Sequence, residues 1–385
     1  MYNIQLMNKI SKVGTELFDK AKYTLGEEMD TPDGMLVRSA VLHETVFPAT
    51  LKCIARAGAG VNNIPLDRCA EQGIVVFNTP GANANGVKEL AITALLLSSR
   101  KITDGIAWAS SLTGDDVAKQ VEKGKSAFAG PEIKGKTLGV IGLGAIGGPV
   151  ANAAESLGMK VVGCDPFMTV SAAWSLSRKV VKADTYDELY PQCDYITVHV
   201  PSVKDTIGMI NAESIAKMKD GVRIINLSRG NIVVTDDVLA AIESGKVSCY
   251  VTDFPDEKLI GKKNVICIPH LGASTPESEE NCAVMAANQL MDYLLDGNIK
   301  NSVNYPAISM PRGAKNRIVV LHENIPNMIA QASSVFSAVH INIEHMMSSS
   351  KGANGVAMFE TNDDIDESIC EKVSAIAGIR KVILL

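Results

Sequence analysis

No stretch of the chain holds the roughly 18 consecutive apolar residues that a membrane-spanning helix needs, so no such helix is expected. The N-terminal segment MYNIQLMNKISKVG lacks the basic start, apolar centre and small-residue cleavage site of a secretory signal, and the expectation is a cytoplasmic protein. Cysteine pairs are missing too. The eight cysteines, at positions 53, 69, 164, 193, 249, 267, 282 and 370, form no Cys-x-x-Cys arrangement and no Cys/His cluster with zinc spacing. Most lie in apolar stretches, where a thiol behaves as a small hydrophobe, so neither a disulfide framework nor a metal site is expected. Net positive charge is also absent. A balance of −6, with no basic or low-complexity tract, gives no reason to expect nucleic acid or an anionic membrane as partner. An acidic chain that binds an anionic metabolite needs a local cationic cluster, so single Arg and Lys positions matter more than the total.

What is present is ordinary globular material in quantity. Over 385 residues, 46% are apolar and 21% charged, enough for two or three domains with separate cores. Short apolar runs alternate with helical patterns along most of the chain. Early examples are LKCIARAGAGVNNI (51–64), GIVVFNTPGANA (73–84) and the helical NGVKELAITALLLSSRKI (85–102). A fresh series begins at Gly135 with TLGVIGLG, and continues through KVVGCDP, DYITVHVP, GVRIINLSRG, VSCYVTDFP and NVICIPH. Strand-like runs separated by helices predict βαβ units and a doubly wound parallel sheet. A long helical stretch, residues 276–297, is followed by the linker-like AISMPRGAKN. The last seventy or so residues then read β-α-β-β-α-β, a small ferredoxin-like unit.

Within the central series, Gly142-Leu-Gly144-Ala145-Ile146-Gly147 is a G-x-G-x-x-G that follows the strand TLGVI and opens a helix. Asp165 stands 18 residues past Gly147, at the end of the next strand. That context marks a dinucleotide site. The glycines let the backbone approach a pyrophosphate seated on the positive helix terminus. Asp165 is placed to accept hydrogen bonds from the ribose hydroxyls and would repel a 2′-phosphate, which favours NAD over NADP.

RAGAGVNNI, FNTPGANANGVKELA, IKGKTLGVIGLGAIG, VHVPSVKDTIGMIN, INLSRGNIVVTDDVLAAI and IPHLGAST occur in an order and spacing that resemble the NAD-dependent D-2-hydroxyacid dehydrogenases, nearly from end to end. Within that family the motifs resemble most the branch acting on D-3-phosphoglycerate. The resemblance implies three bodies: residues 1–95 with 277–306 as a flavodoxin-like α/β substrate domain, 96–276 as the NAD-binding Rossmann domain, and 316–385 as an ACT-like regulatory domain. It implies that Arg229, in the SRG turn, binds the substrate's carboxylate and 2-oxo group through its guanidinium fork. His270 of the PH-G motif becomes the acid–base, a role suited to a side chain whose intrinsic pKa is about 6.5. The paired carboxylate lies in TDFPDE, one residue shorter than the family's segment, so Glu257 is the best match and Asp256 the alternative. For an isolated residue a structural role is the commoner one, and it is the company these residues keep that raises the catalytic reading.

Around the cofactor, the same resemblance assigns His199 and Pro201 beside the adenine, Thr206 near the phosphates, Asp253 facing the nicotinamide amide, and Gly272 next to the catalytic histidine. Arg56, Ala57 and Gly58 of the second glycine loop, with Asn78 and more weakly Lys88, are implied for the substrate, and Arg56 for its phosphate. Asn62 stands where the family usually has aspartate. In the tail, His322, Asn324 and Asn342 match the pattern that holds L-serine in ACT domains, although Pro326-Asn327 replaces the usual Pro-Gly. The implied activity is NAD-dependent oxidation of D-3-phosphoglycerate to 3-phosphohydroxypyruvate, the first step toward serine, by a homodimer or homotetramer with possible L-serine control. The alternatives are another D-2-hydroxyacid dehydrogenase, such as a glyoxylate or hydroxypyruvate reductase, and a non-catalytic corepressor-like protein that senses NAD.

Overall fold

A computed structural model describes all 385 residues, and they divide into two compact units, Met1–Asn83 with Glu279–Leu385, and Ala84–Ser278. The helix Ala84–Ser99 therefore belongs whole to the second unit.

The second unit is built on a seven-stranded sheet. Its strands are best given in chain order after the five of the first unit, which are β1 (Tyr2–Leu6), β2 (Tyr23–Gly26), β3 (Gly34–Val37), β4 (Cys53–Arg56) and β5 (Val75–Phe77). Those five pair in parallel in the order β2-β1-β3-β4-β5. In the second unit come β6 (Thr137–Ile141), β7 (Lys160–Cys164), β8 (Val181–Lys182), β9 (Tyr195–Val198), β10 (Val222–Asn226), β11 (Val247–Thr252) and β12 (Val265–Cys267). They are parallel throughout, in the order β12-β11-β10-β9-β6-β7-β8. Successive connections run one way from β6 to β8 and the other way from β9 to β12, so the winding reverses between β6 and β9. The runs are apolar on both faces because helices cover both sides, and all four residues of β9 are buried.

The first unit carries a second sheet, formed by β13 (Asn316–Glu323), β14 (His345–Lys351), β15 (Asn354–Thr361) and β16 (Ile379–Leu384), antiparallel in the order β14-β15-β13-β16. With the helices Met328–Ala338 and Glu367–Ser374 it makes the expected β-α-β-β-α-β unit. The two helices pack on one face through Phe336, Ala332, Ile369 and Val373. The other face shares one core with the β1–β5 sheet: Val319, Leu321, Met358 and Ile383 cluster with Cys53, Val75, Leu290 and Tyr293. The stretch AISMPRGAKN, which reads as a linker, is part of that packing. Ile308 and Met310 are buried, and Ile308 pairs antiparallel with Ile299. Apolar side chains at two alternate positions of this stretch give it something to bury, and burial outweighs the turn-forming character of its Pro and Gly. The second strand-like run of the tail, HINIEHMMSSS, is extended only from His345, so Asn342 precedes β14 instead of lying on it.

Candidate active site

In a parallel sheet every strand delivers its next residue to the same edge, and a reversal of winding opens a crevice there. At this edge β6 runs into the glycine loop. Gly142 has φ +86°, and a Cβ on it would lie 2.6 Å from the His199 carbonyl oxygen at the end of β9. A Cβ on Gly147 would lie 1.8 Å from the Gly142 oxygen. Both positions therefore require glycine, for the turn and for close packing of helix on strand. Gly144 is different: a Cβ there meets nothing within 4 Å, and Gly144 and Ala145 are exposed. The helix Gly147–Ser156 starts at Ile146 with no side-chain cap, which leaves its first amides open to an anion. At the end of β7, Asp165 accepts from the Leu143 amide through Oδ2 (2.8 Å) and the Phe167 amide through Oδ1 (2.9 Å). Its carboxylate thus fixes the loop, and each oxygen keeps a second lone pair for a hydroxyl donor. An uncapped helix start behind a glycine turn, flanked by an acceptor-only carboxylate, fits the pyrophosphate and ribose of NAD.

His199 follows β9. Its Nε2 pairs with Thr197 Oγ1 at 2.9 Å, while Nδ1 is buried without a partner. Burial disfavours the imidazolium and brings its pKa down to about 4, so the ring is neutral near pH 7. Thr206 closes the loop after Pro201, accepting from the Val203 amide at 2.9 Å and donating to the Pro201 carbonyl.

Farther along the same edge, register brings three candidates together. Asn226 of β10 pairs with Thr252 of β11, and Thr252 with Cys267 of β12. Arg229, Asp253 and His270 come three, one and three residues after those paired positions. Arg229 is exposed, with Nη1 donating to the Ser228 carbonyl at 2.7 Å, and Asn226 Nδ2 holds the Arg229 carbonyl at 2.9 Å. Asp253 is 2% exposed and its Oδ1 has no partner. Burial raises the Asp253 carboxyl pKa, and the positive charges of His270 and Arg229 oppose that rise. The exposed His270 ring lies 4.6 Å from that of Phe254, tilted by 55°. Gly272 is buried, its α-carbon facing Val87. Glu257 is exposed and makes no hydrogen bond or ion pair, and Lys88 only reaches Asn85 Oδ1.

In the first unit, the ends of β4 and β5 carry the remaining substrate candidates. Arg56 Nε donates to the Arg38 carbonyl at 3.2 Å, and burial lowers its pKa. Gly58 has φ +152°, and a Cβ there would lie 1.9 Å from Arg56 Nη1. Ala57 is buried, and Asn78 Nδ2 donates to the Ala59 carbonyl at 2.7 Å. His322 and Asn324, at the end of β13, line a separate groove of about 430 Å³ with Asn327 and Ser348–Ser350. Asn342 is not in it; its amide and side chain are held by Asp363 and Glu344. Sequence reasoning missed Ser348–Ser350. Only the strand alternation of β14 could have pointed to them, and that signal is weak in a mostly exposed edge strand.

These features are those of a dinucleotide-dependent dehydrogenase domain, and residues 93–272 match the description "D-isomer specific 2-hydroxyacid dehydrogenase, NAD binding domain". The rest of the chain lies outside that match. The D-3-phosphoglycerate dehydrogenase of Bacillus subtilis (strain 168) is 33% identical over 333 residues, which cover 82% of this chain and 61% of that protein. That of Archaeoglobus fulgidus is 38% identical over 265 residues, covering 67% of this chain and 48% of that one. The chain thus spans about half to three-fifths of the length of the curated relatives it matches. Among solved structures, the NAD+-bound 3-phosphoglycerate dehydrogenase of Entamoeba histolytica is similar with a TM-score of 0.59 and 28% identity, covering 79% of this chain and 98% of that one.

Proposed function

We propose that this protein catalyses the NAD-dependent oxidation of D-3-phosphoglycerate to 3-phosphohydroxypyruvate. The observation that carries this reading is the convergence of Arg229, Asp253 and His270 on the sheet edge that also holds the glycine loop. Oxidising the alcohol removes a hydride from C2 and a proton from its oxygen. Bound NAD+ supplies the hydride acceptor. His270, in its neutral form, takes the hydroxyl proton, and a carboxylate beside it stabilises the imidazolium that results. Arg229 holds the substrate carboxylate through two parallel N–H donors and so fixes C2, a positioning contribution. Arg56 is the candidate for the phosphate, since its desolvated guanidinium gains from an anionic partner.

The relatives named above share the substrate, which favours phosphoglycerate over glycolate or glycerate. The groove at His322 supports a second element of the reading, L-serine control. Its His322 Nε2 is buried and unpartnered, beside serine hydroxyls and the Asn324 amide. A cytoplasmic homodimer or homotetramer completes the proposal. No helix is long and apolar enough to cross a membrane.

NADH formation from D-3-phosphoglycerate and NAD+ at alkaline pH tests the central claim. His270→Ala is expected to lower kcat by about 10²–10⁴-fold, the usual worth of a positioned acid–base. Turnover of glycolate or glycerate without turnover of D-3-phosphoglycerate would replace this reading with the reductase one. Millimolar L-serine is expected to slow the enzyme, and His322→Ala to remove that effect. Rates unchanged by serine would remove the regulatory element alone.

A further inference from the structure

Three cations stand at one edge of the five-stranded sheet. β1, β3 and β4 are neighbours in that sheet and run parallel, so their chain ends point the same way. Lys9 follows β1 by three residues, Arg38 follows β3 by one, and Arg56 is the last residue of β4. Their side chains are used unequally. Lys9 is exposed and makes no ion pair. Arg56 spends only Nε, on the Arg38 carbonyl at 3.2 Å. The Arg38 amide is pinned by Asn8 Oδ1 at 2.9 Å, and its guanidinium Nη2 meets Glu279 Oε1 at 2.6 Å.

Glu279, on the helix Pro276–Asp296, is the carboxylate that answers this edge. Its hydrogen bond to Arg38 holds its carboxyl below the ordinary range, and the charges of Arg38 and Lys9 act the same way. Arg56 has no carboxylate partner; burial lowers its pKa, and the charge of Arg38 lowers it further. The Arg38–Glu279 pair is also easily opened. Its side chains are 38% and 44% exposed, and an ion pair this accessible adds little to stability. One carboxylate thus occupies one of two adjacent guanidiniums, and the rest of the cationic edge stays uncompensated. A dianion that meets both guanidiniums outcompetes it.

We propose that Glu279 is a resident anion: it holds Arg38 while the site is empty, yields it to the substrate phosphate, and takes it back as product leaves. Substrate and product carry the same phosphate, so the competition weakens both alike and raises KM while easing product release. The inference rests on the reading under Proposed function that gives Arg56 to the phosphate.

The test titrates inorganic phosphate calorimetrically, at alkaline pH, into the protein without substrate or NAD+. Glu279→Gln keeps the shape of the side chain and removes its charge. Its phosphate affinity is expected to rise by about 5-fold, and its KM for D-3-phosphoglycerate to fall by a similar factor. Arg56→Gln tests the assignment beneath the proposal, and its phosphate affinity is expected to fall by about 10-fold. If Arg56→Gln binds phosphate as wild type does, the assignment and the role of Glu279 are overturned together. If Arg56→Gln weakens binding but Glu279→Gln leaves it unchanged or lowers it, only the role of Glu279 is overturned. Absence of phosphate binding in both wild type and Glu279→Gln would overturn it as well. If Glu279→Gln does not fold, as judged by circular dichroism, Glu279→Ala is titrated in its place against the same criteria. The titration needs no turnover, so failure of the wild-type protein to oxidise D-3-phosphoglycerate would reject the substrate without bearing on Glu279.

Discussion

Arg317 and Glu360, where the four-stranded sheet meets the segment before β13, are both 0% exposed, and every polar atom of the pair is satisfied. Arg317 gives Nε and Nη2 to Glu360 Oε1 at 3.0 and 2.6 Å, Nη1 to the Asp296 carbonyl at 2.6 Å and Nη2 to the Met310 carbonyl at 2.8 Å. The Gly313 amide and His345 complete the shell of Glu360. At the edge of the seven-stranded sheet the pattern is reversed. In the unit Ala84–Ser278 the only buried side-chain polar atoms without a partner are His199 Nδ1 and Asp253 Oδ1, and each belongs to the first residue after a strand. Burial is common to both regions. What separates these two places is saturation: Arg317 and Glu360 use their whole hydrogen-bonding capacity internally, whereas His199 and Asp253 each keep an atom in reserve.

The largest effect expected from this contrast is at the saturated pair. Glu360→Ala leaves a buried guanidinium uncompensated, and the cost is expected to be about 3–5 kcal/mol, read from urea denaturation. The double variant Arg317→Met/Glu360→Leu removes both charges and is expected to recover most of that loss. If the single variant unfolds within about 1 kcal/mol of wild type, internal saturation is not what stabilises this junction.

His199 provides an intermediate effect, with a defined pH window. Its folded pKa of about 4 lies below the ordinary histidine value, so the unfolded chain binds the extra proton more readily. Its contribution to stability is complete above about pH 6.5 and is lost as pH falls through that value toward 4. The loss should be on the order of 2 kcal/mol, since the ring is only half-buried. His199→Gln has no such proton to bind, and its stability is expected to fall less than that of wild type between pH 6.5 and 4. Parallel curves for the two proteins would show that the ring is solvated.

The division between saturated and reserved groups also explains what could be read without a structure. The glycine loop and Asp165 were legible because their chemistry is local: a strand, a turn needing glycine at Gly142 and Gly147, and a helix start, all within one βαβ unit. The convergence of Arg229 and His270 was legible only through the family's motif order, since 41 residues separate them and parallel register brings them together. The surroundings of the acidic segment were not legible. Three carboxylates within five residues are indistinguishable in sequence, and burial and hydrogen bonding tell them apart. Nor was the attachment of the tail. Its alternating apolar residues showed that β13 and β15 had a core face, but not that one face would merge with Leu290 and Tyr293.

Position within the unit Ala84–Ser278 is therefore a poorer guide to function than saturation, and Asn211 separates the two. It lies just beyond the loop that carries Pro201 and Thr206, yet its side chain is fully used. Oδ1 accepts from the Glu213 and Ser214 amides at 3.0 and 3.1 Å, Nδ2 donates to the Gly208 carbonyl at 2.8 Å, and the Ser214 hydroxyl returns a bond to the Asn211 amide. This is a reciprocal cap on the helix Ala212–Lys217. Asn211→Ala is expected to cost about 1 kcal/mol in urea denaturation. Its kcat and KM for both substrates should match wild type, because no atom of Asn211 is held back for a ligand. A fall in kcat of ten-fold or more, with the folded protein intact by circular dichroism, would mean that a saturated group can serve the reaction through the loop it anchors, and the rule drawn from Arg317 and Asp253 would fail in this unit.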